Sequence, residues 1–498
     1  MLKPEINEIL IKSVVCLIAG ALLALAFAPY NFSLLVFISL ALLFFLWRNT
    51  TSKNAFIYGY CFGFGLFGAG VNWLHISINL FGGINLFFAL VLTYLLVAFL
   101  ALYPALVGFI SRKYLSRPEL LNSLIFIPSL WTISEWCRSW IFTGFPWLNV
   151  GYSQLDTPLS GMAQITGVYG VSWLVCFSAA VLTEFFFINR KSGFLLTLGL
   201  IFIWGGCYLI KEIEWTSRKN QTITATLVQG GIPQQQKWKK ENQQMTRDLY
   251  MSLTRQYPDS DIIIWPETAI PALYHNADFF INPIQKLAEA HNVDVLTGIP
   301  IVDLNTGQFF NSIILIGDKN EIYHKRHLVP FGEYLPFDKW LRPILNSLHI
   351  PMSSFSAGDS QKPVINAAGQ IIGVSICYED VFGEEIIDAL PEANLLVNIS
   401  NDAWFGDSLA PHQHLQMAAM RALETGRYMI RVTNTGISAI INHKGNILSR
   451  SPQFEPHAYS GKIELFEGTT PYGVYGNYPV IIFTCVLLVF GFVIRIKQ

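Results

Sequence analysis

Seven apolar runs follow one another through the first 210 residues of the chain, and an eighth lies near its carboxyl end. They cover residues 13–29, 32–47, 55–74, 84–110, 121–142, 165–188, 194–210 and 478–493. A helix needs roughly 17–25 residues to cross a bilayer, so these runs have spanning or near-spanning length. Charged residues make up only 13% of the chain, against about 25% in soluble proteins. The sequence therefore predicts a helical membrane protein with eight spans.

The first apolar run also fits a cleaved signal peptide, because Lys3 and Lys12 precede its core and small residues close it. Six more apolar runs follow before the polar part of the chain begins. We therefore favour a retained span over a cleaved leader.

Positive charges fall in alternate connections between the apolar runs. They are Lys3, Lys12, Arg48, Lys53, Arg112, Lys113, Arg117, Arg190, Lys191, Arg495 and Lys497. The short connections at 30–31, 75–83 and 143–164 contain no Lys or Arg. Cytoplasmic loops of membrane proteins carry the excess of Lys and Arg, so both termini are predicted to be cytoplasmic. The pattern predicts a seven-span domain at 1–211, an exterior domain at 212–470, and an eighth span with a cytoplasmic tail at 471–498.

Two ionisable residues, Glu135 and Arg138, lie inside the fifth run at a spacing that places them on one helix face. Such residues can line a polar cavity or an entrance for lipid headgroups. They can equally form a structural pair near the outer end of the span, and we favour this second interpretation.

The exterior part alternates β-rich segments with helical ones, which predicts an α/β fold. The predicted strands are TITATLVQG, DIIIWPE, VDVLTGIPIV, NSIILIGD, IIGVSICYE, NLLVNIS, YMIRVTNTG and SAIINHKG. The predicted helices cover 239–256, 278–291 and 415–426. Active sites of α/β sheets lie beyond the carboxyl ends of the strands, so polar residues at those positions are functional candidates.

Three such residues follow strand-like segments: Glu267, Lys325 and Cys377, the last being the only cysteine between residues 208 and 484. Taken singly, each has an ordinary explanation: a carboxylate in the first turn of a helix, a solvated basic turn, or a small apolar residue. Together they supply a general base, a charge stabiliser and a nucleophile, which acyl transfer through a thioester requires. We therefore predict that the three converge in an active site.

Other chemistries have less support in the sequence. His412 and His414 could each pair with the thiol, but the sequence identifies no third group to orient either ring. No GxSxG, P-loop or CxxC motif is present, and the net charge of -1 gives no indication of nucleic-acid binding. We expect neither a metal nor a cofactor.

The motifs WPETAIP, YHKRHLVPFGEY and ICYED resemble the Glu, Lys and Cys motifs of the nitrilase, or carbon–nitrogen hydrolase, superfamily. RALETGRYMIRVTNTG resembles its helix–strand segment downstream of the cysteine. GFPWLNVGYSQ, VQGGIPQQQKW, SNDAWFG and the spans extend the resemblance to a membrane-embedded branch, the apolipoprotein N-acyltransferase family. The resemblance implies a multi-pass α-helical membrane domain joined to a nitrilase-like αββα sandwich.

The resemblance also implies an enzyme of the bacterial inner membrane whose catalytic domain lies in the periplasm. Such an enzyme takes an acyl chain from a phospholipid, typically phosphatidylethanolamine, and places it on the α-amine of the diacylglyceryl-cysteine of an apolipoprotein. Glu267 would be the base and Cys377 would carry the acyl group in a ping-pong cycle. Lys325, with a backbone N–H near Tyr378, would stabilise the oxyanion. Glu333 and Glu379 are candidate assisting residues.

Residues 334–355 are apolar and aromatic-rich for an exterior segment, and Trp340, Leu341 and Ile344 fit one helix face. We expect a membrane-touching arm or lid that admits acyl chains, although ordinary core packing would give the same pattern. Trp238, which closes the segment VQGGIPQQQKW, is a further candidate for holding a substrate.

Three other functions remain open from the sequence. A membrane-tethered amidase or nitrilase would use the same three residues to hydrolyse a small amide. A transporter with an exterior binding domain would show inverted repeats or charges at mid-membrane, and only Glu135 and Arg138 fit that description. A scaffold that has lost its activity would keep the motifs without turnover.

Overall fold

The computed structural model describes residues 4–115, 118–317, 319–339, 342, 354–359 and 361–496. The chain forms two compact units. The first, which we call the helical unit, comprises Met1–His75, Asn85–Ile213 and Tyr475–Gln498. The second, which we call the α/β unit, comprises Ile76–Ile84 and Glu214–Val474.

The helical unit consists mainly of apolar helices at the positions of the predicted spans. They are α1 (Pro4–Leu23), α2 (Leu34–Trp47), α3 (Ser52–Gly70), α4 (Leu86–Leu100), α5 (Leu102–Tyr114), α6 (Ile127–Arg138), α7 (Ala163–Glu184), α8 (Arg190–Lys211) and the carboxyl-terminal helix Tyr478–Ile496. Within the described residues, four helical stretches are long and apolar enough to cross a membrane, or five if a pair bent by 57° is one span. Two more apolar helices are shorter. The eight-span topology stays a prediction.

Glu135 and Arg138 are both buried in the helical unit, on α6. Arg138 donates hydrogen bonds to the carbonyl of Phe145 at 2.8 Å and to the side chain of Asn149 at 2.6 Å. Glu135 accepts a hydrogen bond from the backbone N–H of Val150 at 2.9 Å. Both side chains therefore hold the segment that follows α6, and these contacts favour the structural interpretation of the pair.

The α/β unit contains two six-stranded mixed sheets. The first has the order β12 (His457–Gly468), β1 (Thr216–Gln229), β2 (Ile262–Ile264), β3 (Asp294–Val302), β4 (Phe309–Ile316), β5 (Ile322–His324). The second has the order β11 (Ile447–Arg450), β10 (Ala439–Ile441), β9 (Met429–Thr433), β8 (Leu395–Ser400), β7 (Gln370–Ile376), β6 (Val364–Ala367). The strands β1, β2 and β3 run parallel, as do β7, β8 and β9.

Alternation of side chains along the strands explains the layering, because successive residues of a strand point to opposite faces. Ile262 and Ile264 belong to the core between the two sheets, whereas Ile263 packs in a second core with Tyr250 and Ile284. Those two residues come from α9 (Gln243–Thr254) and α10 (Asp278–His291), which cover the outer face of the first sheet. A third helix, α11 (Ala410–Thr425), packs against β9 of the second sheet. The result is the four-layer αββα arrangement expected from the sequence.

Candidate active site

The three predicted catalytic residues all follow strands of the α/β unit. Glu267 lies three residues after β2, Lys325 directly follows β5, and Cys377 directly follows β7. Glu267 is 8% exposed and Lys325 only 1%, so Lys325 is not part of a solvated turn. Cys377 begins a tight helical turn, Cys377–Val381, with a φ of +51°. A positive φ is uncommon for a residue other than glycine, and such strained turns occur at functional sites.

A compact hydrogen-bonded cluster joins Glu267, the predicted base, to Lys325, the predicted charge stabiliser. The ammonium of Lys325 lies 2.8 Å from Oε2 of Glu333. The side-chain amide of Asn311 donates to Oε1 of Glu267 at 2.7 Å and to Oε1 of Glu333 at 2.9 Å. Oε2 of Glu267 has no hydrogen-bond partner among the described residues. This buried oxygen is therefore available to accept a proton.

The electrostatics of the cluster suit proton transfer from the thiol to Glu267. Burial raises the pKa of Glu267, and Lys325 opposes that rise. Burial acts to lower the pKa of Lys325, but Glu333 and Glu267 outweigh it and keep the ammonium charged. The pKa of Cys377 is also raised, first by burial and then by Glu267, while Lys325 lowers it. The thiol therefore stays protonated until a base removes its proton, and a fixed cation acts on both partners.

The backbone at Glu267 is held by two neighbours that the sequence did not single out. Lys237, which is 1% exposed, donates from its ammonium to the carbonyl of Glu267 at 3.1 Å. Burial lowers the pKa of Lys237 to about 8. Gly298 leaves room for the turn, because a Cβ at this position would lie 2.4 Å from the backbone nitrogen of Thr268. The base is thus fixed through its main chain as well as through its carboxylate.

Glu379 connects the turn at Cys377 to the segment that carries Lys325. Its Oε2 accepts from the backbone N–H of Ile376 at 2.7 Å. Its Oε1 accepts from the hydroxyl of Tyr323 at 2.8 Å and from the backbone N–H of Arg326 at 2.6 Å. A single buried carboxylate therefore fixes residues on either side of both Lys325 and the nucleophile.

The two candidate histidines have different surroundings. The ring nitrogens of His414 lie 2.7 Å from Asp380 and 3.1 Å from Asp402, so carboxylates face both of them. His412 is only partly buried on the same helix. The position of His414 between two carboxylates gives no support to a Cys–His dyad.

The structure describes two of the remaining predicted site residues, and the other three lie outside the described residues. Tyr378 is 8% exposed, and its ring centroid lies 5.1 Å from that of Phe382. Trp238 is 51% exposed. Trp340, Leu341 and Ile344 lie outside the described residues. Among the described residues, no group of His, Cys, Asp and Glu side chains is arranged to hold a metal ion.

Two family models match the chain. The apolipoprotein N-acyltransferase N-terminal domain matches residues 19–181, and the carbon-nitrogen hydrolase model matches residues 224–465. The second match includes residues from every strand of both sheets and all three predicted catalytic residues. With the two-sheet architecture, it confirms the predicted fold class.

Known proteins are similar over most of the chain. An apolipoprotein N-acyltransferase of Methylococcus capsulatus is 45% identical over 93% of this chain and 92% of its own length. One of Nitrosomonas europaea is 41% identical over 93% of this chain and 94% of its own. Among solved structures, Saccharomyces cerevisiae Nit3 of the nitrilase superfamily aligns with a TM-score of 0.40 at 18% identity, over 50% of this chain and 93% of that protein. The extent and the degree of identity with the first two show that the chain belongs to the apolipoprotein N-acyltransferase family.

Proposed function

We propose that this protein transfers an acyl chain from a membrane phospholipid, through a thioester on Cys377, to the N-terminal amine of diacylated apolipoproteins. The names of its relatives support the acceptor and the reaction class. The observation that carries the mechanism is the convergence of Glu267, Lys325 and Cys377, together with a carboxylate oxygen of Glu267 that has no hydrogen-bond partner in the part of the chain that the structure describes. Phosphatidylethanolamine is the donor that we expect from the family.

In the first half-reaction, Oε2 of Glu267 takes the proton of the Cys377 thiol as the sulfur attacks the ester carbonyl of the phospholipid. Lys325 and the backbone N–H of Tyr378 stabilise the negative oxygen of the tetrahedral intermediate. Collapse of the intermediate breaks the ester C–O bond and leaves the acyl group on sulfur. Glu267 returns its proton to the departing alkoxide, which leaves as a lysophospholipid.

In the second half-reaction, the amine of the diacylglyceryl-cysteine attacks the thioester carbonyl. Glu267 accepts a proton from the attacking nitrogen, and Lys325 again stabilises the oxyanion. Collapse expels the sulfur, which regains a proton from Glu267, and the product is an amide. The two substrates use one site in turn, so the cycle is ping-pong.

Assisting residues act on the geometry of this site. Glu333 would keep Lys325 charged and would fix the direction of its ammonium group through their 2.8 Å ion pair. Glu379 would keep the turn of the nucleophile and the Lys325 segment together through its shared carboxylate. Trp238, half exposed at the end of a short helix, stays a candidate for contact with a substrate.

We expect the site to lie on the periplasmic side of the bacterial inner membrane. Lys and Arg occupy the predicted cytoplasmic connections and are absent from the short exterior ones. A periplasmic α/β unit and cytoplasmic termini follow from this bias. An alkaline phosphatase fused after Lys211 should be active and one fused after Arg190 should be inactive, and the reverse pattern would contradict the topology.

The apolar arm with Trp340, Leu341 and Ile344 remains a proposal from the sequence. Polar replacements of these three residues together should impair the use of phospholipids in bilayers more than the use of a short-chain, water-soluble ester. An acyl chain that leaves the bilayer exposes methylenes at a cost of about 0.8 kcal/mol each, and an apolar arm lowers that cost. Equal loss with both donors would refute the role as an arm.

The proposed function is tested with purified protein, a phospholipid labelled in its acyl chain, and a synthetic diacylated lipopeptide with a free amino terminus. We expect the label to appear in an amide of the lipopeptide. A matched lipopeptide with an acetylated amino terminus should remain unlabelled. Release of labelled fatty acid at an equal rate with and without the lipopeptide would instead indicate a membrane-tethered hydrolase.

A further inference from the structure

A second group of buried ionisable side chains lies at the carboxyl ends of the strands of the second sheet. It consists of Asp380, Asp402, His414 and Arg431, which we call the charge network. Each side chain is at most 1% exposed. The four residues come from the turn after β7, the loop after β8, α11 and β9. Burial of so many charged groups is costly unless the groups are mutually satisfied, so their placement calls for an explanation.

Arg431 is at the centre of the charge network. Its Nη1 donates to Oδ2 of Asp380 at 2.6 Å, and its Nη2 donates to Oδ2 of Asp402 at 3.1 Å. Nη2 also lies 2.7 Å from Nδ1 of His414, whose Nε2 is 2.7 Å from Oδ1 of Asp380. Asp380 and Asp402 thus face the two ring nitrogens and raise the pKa of His414, against the opposing effects of burial and Arg431. The planar fork of the guanidinium bridges two carboxylates, which a lysine cannot reproduce.

Two polar side chains of β8 connect Arg431 to the nucleophile. Nη1 of Arg431 also donates to Oδ1 of Asn398 at 2.8 Å. The amide nitrogen of Asn398 in turn donates to the carbonyl of Cys377 at 3.2 Å. Nη2 of Arg431 lies 3.4 Å from the hydroxyl of Ser400, a residue that acts to lower the pKa of the Cys377 thiol. Arg431 therefore reaches the main chain of Cys377 through one intermediate residue, Asn398.

The turn that Arg431 holds is strained. Cys377 has a φ of +51°, and such a conformation persists only where surrounding contacts impose it. Asp380 lies in the same turn, three residues after Cys377, and accepts directly from Arg431. The guanidinium thus holds the turn through two hydrogen bonds, one to Asp380 and one to Asn398.

We propose that Arg431 is a positioning residue for acyl transfer: its guanidinium holds the turn at Cys377 in the shape that aims the thiol at the base on the first sheet. This inference rests on the proposed function, since it names what fixes the nucleophile of that reaction. Arg431 also places a positive charge close enough to act on the Cys377 sulfur. Its loss should therefore slow formation of the acyl-enzyme and shift ionisation of the thiol to higher pH.

The chain offers a matched control for this idea. Arg427 is as completely buried as Arg431 and lies four residues earlier. Its guanidinium donates to the backbone carbonyls of Ala393 at 2.7 Å and Gly468 at 2.6 Å. Replacing Arg427 therefore removes a buried cation and its hydrogen bonds, whereas the bonds of Asp380 and Asn398 to Arg431 remain in place.

The experiment compares Arg431→Gln, the milder Asp380→Asn and the control Arg427→Gln in the full-length protein. Three quantities are measured: the apparent midpoint of thermal unfolding, kcat and KM for acyl transfer from phospholipid, and the pH profile of alkylation of Cys377 by iodoacetamide. Alkylation is quantified by mass spectrometry on the peptide that contains Cys377, because other cysteines are present. It reports on the thiol even if the protein has no acyltransferase activity.

We expect Arg431→Gln to lower kcat by at least about 30-fold with less than about a threefold change in KM, since the fully buried Arg431 is not exposed to a substrate. Its alkylation profile should move to higher pH. Asp380→Asn should lower kcat by about fivefold, and it keeps the proposal testable if Arg431→Gln does not fold. Arg427→Gln should lower the thermal midpoint but leave kcat and the alkylation profile within about twofold of the wild-type values.

Two results would overturn the inference. One is an Arg431→Gln or Asp380→Asn protein that alkylates and turns over like the wild type. The other is a loss in Arg427→Gln that equals the loss in Arg431→Gln at a matched thermal midpoint, because the effect would then be structural. A wild-type protein that alkylates normally at Cys377 but forms no acyl-enzyme would contradict the proposed function instead, so the two failures are distinguishable.

Discussion

The two sheets of the α/β unit contribute different parts to the candidate site. The first sheet supplies Glu267 and Lys325, and one carboxylate oxygen of Glu267 has no hydrogen-bond partner among the described residues. The second sheet supplies Cys377, whose turn is tied by Asn398 and Glu379. A proton acceptor needs a free lone pair. A nucleophile on a strained turn instead needs contacts that fix the conformation of that turn. We therefore expect the first sheet to serve proton transfer and the contacts of the second sheet to position the Cys377 thiol.

The strongest test of these separate roles for the two sheets is to remove the Cys377 thiol. Acyl transfer should fall by at least about 10³-fold in Cys377→Ala and Cys377→Ser, because neither variant has the thiol that is proposed to carry the acyl group. The thermal midpoint should change little, since a small side chain is replaced by another. Cys485→Ala, which alters an exposed cysteine of the carboxyl-terminal helix, is the matched control and should keep full activity. Turnover by either Cys377 variant would reject the assignment.

Removing the base tests the first sheet. Glu267→Gln keeps the shape of the side chain and its acceptor oxygen but cannot take a proton. Acyl transfer should fall by about 10²–10⁴-fold, the scale of general base catalysis. The acylation rate should be measured in single turnover, with the exposed Glu289→Gln as the control. Normal acylation in Glu267→Gln would show that the base lies elsewhere.

Removing the cation should have a somewhat smaller effect. Lys325→Ala should slow acyl transfer by at least about 10²-fold, the scale of a lost oxyanion donor. Lys237→Ala removes a second buried ammonium, which contacts the main chain of Glu267 rather than an oxyanion position. It should cost about tenfold less in kcat than Lys325→Ala does. Equal losses in the two variants would argue that the buried charge matters only for folding.

The smallest expected effect concerns stability. Burial raises the pKa of Glu267 above the ordinary value of 4.5, so the ionised form is disfavoured in the folded state. Folding therefore loses stability as the pH rises through this raised pKa, and the loss is absent below the ordinary value. Glu267→Gln should unfold about 2–4 °C higher than the wild type at pH 7, and the difference should vanish in acid. A lower midpoint at pH 7 would mean that the carboxylate stabilises the fold.

The sequence alone predicts the three candidate catalytic residues because each follows an apolar segment, and strands that run in one direction bring their carboxyl ends to one edge of a sheet. Asn311 could not be found in this way. It lies at the start of a strand, and only the register of β4 against β5 places its amide beside Glu267 and Glu333. The same holds for Arg431, whose partners come from four other segments: the turn after β7, β8 itself, the loop after β8, and α11.

Four strands were not predicted from the sequence: β5, β6, β11 and β12. The strands β5 and β6 have only three and four residues, too few to show alternation. Three of the four residues of β11 are exposed, and β12 is interrupted by Gly461, where the sheet needs room for Ile440. Edge strands are set by pairing with their neighbours more than by their own pattern.

The central claim is that the second sheet carries the acyl group and the first sheet enables its transfer. The most direct test is mass spectrometry of the protein after incubation with phospholipid and no acceptor. We expect one acyl group on Cys377 in the wild type, released by neutral hydroxylamine as for a thioester, and none in Glu267→Gln. An acyl group on another residue, or equal acylation of Cys377 in Glu267→Gln, would contradict it.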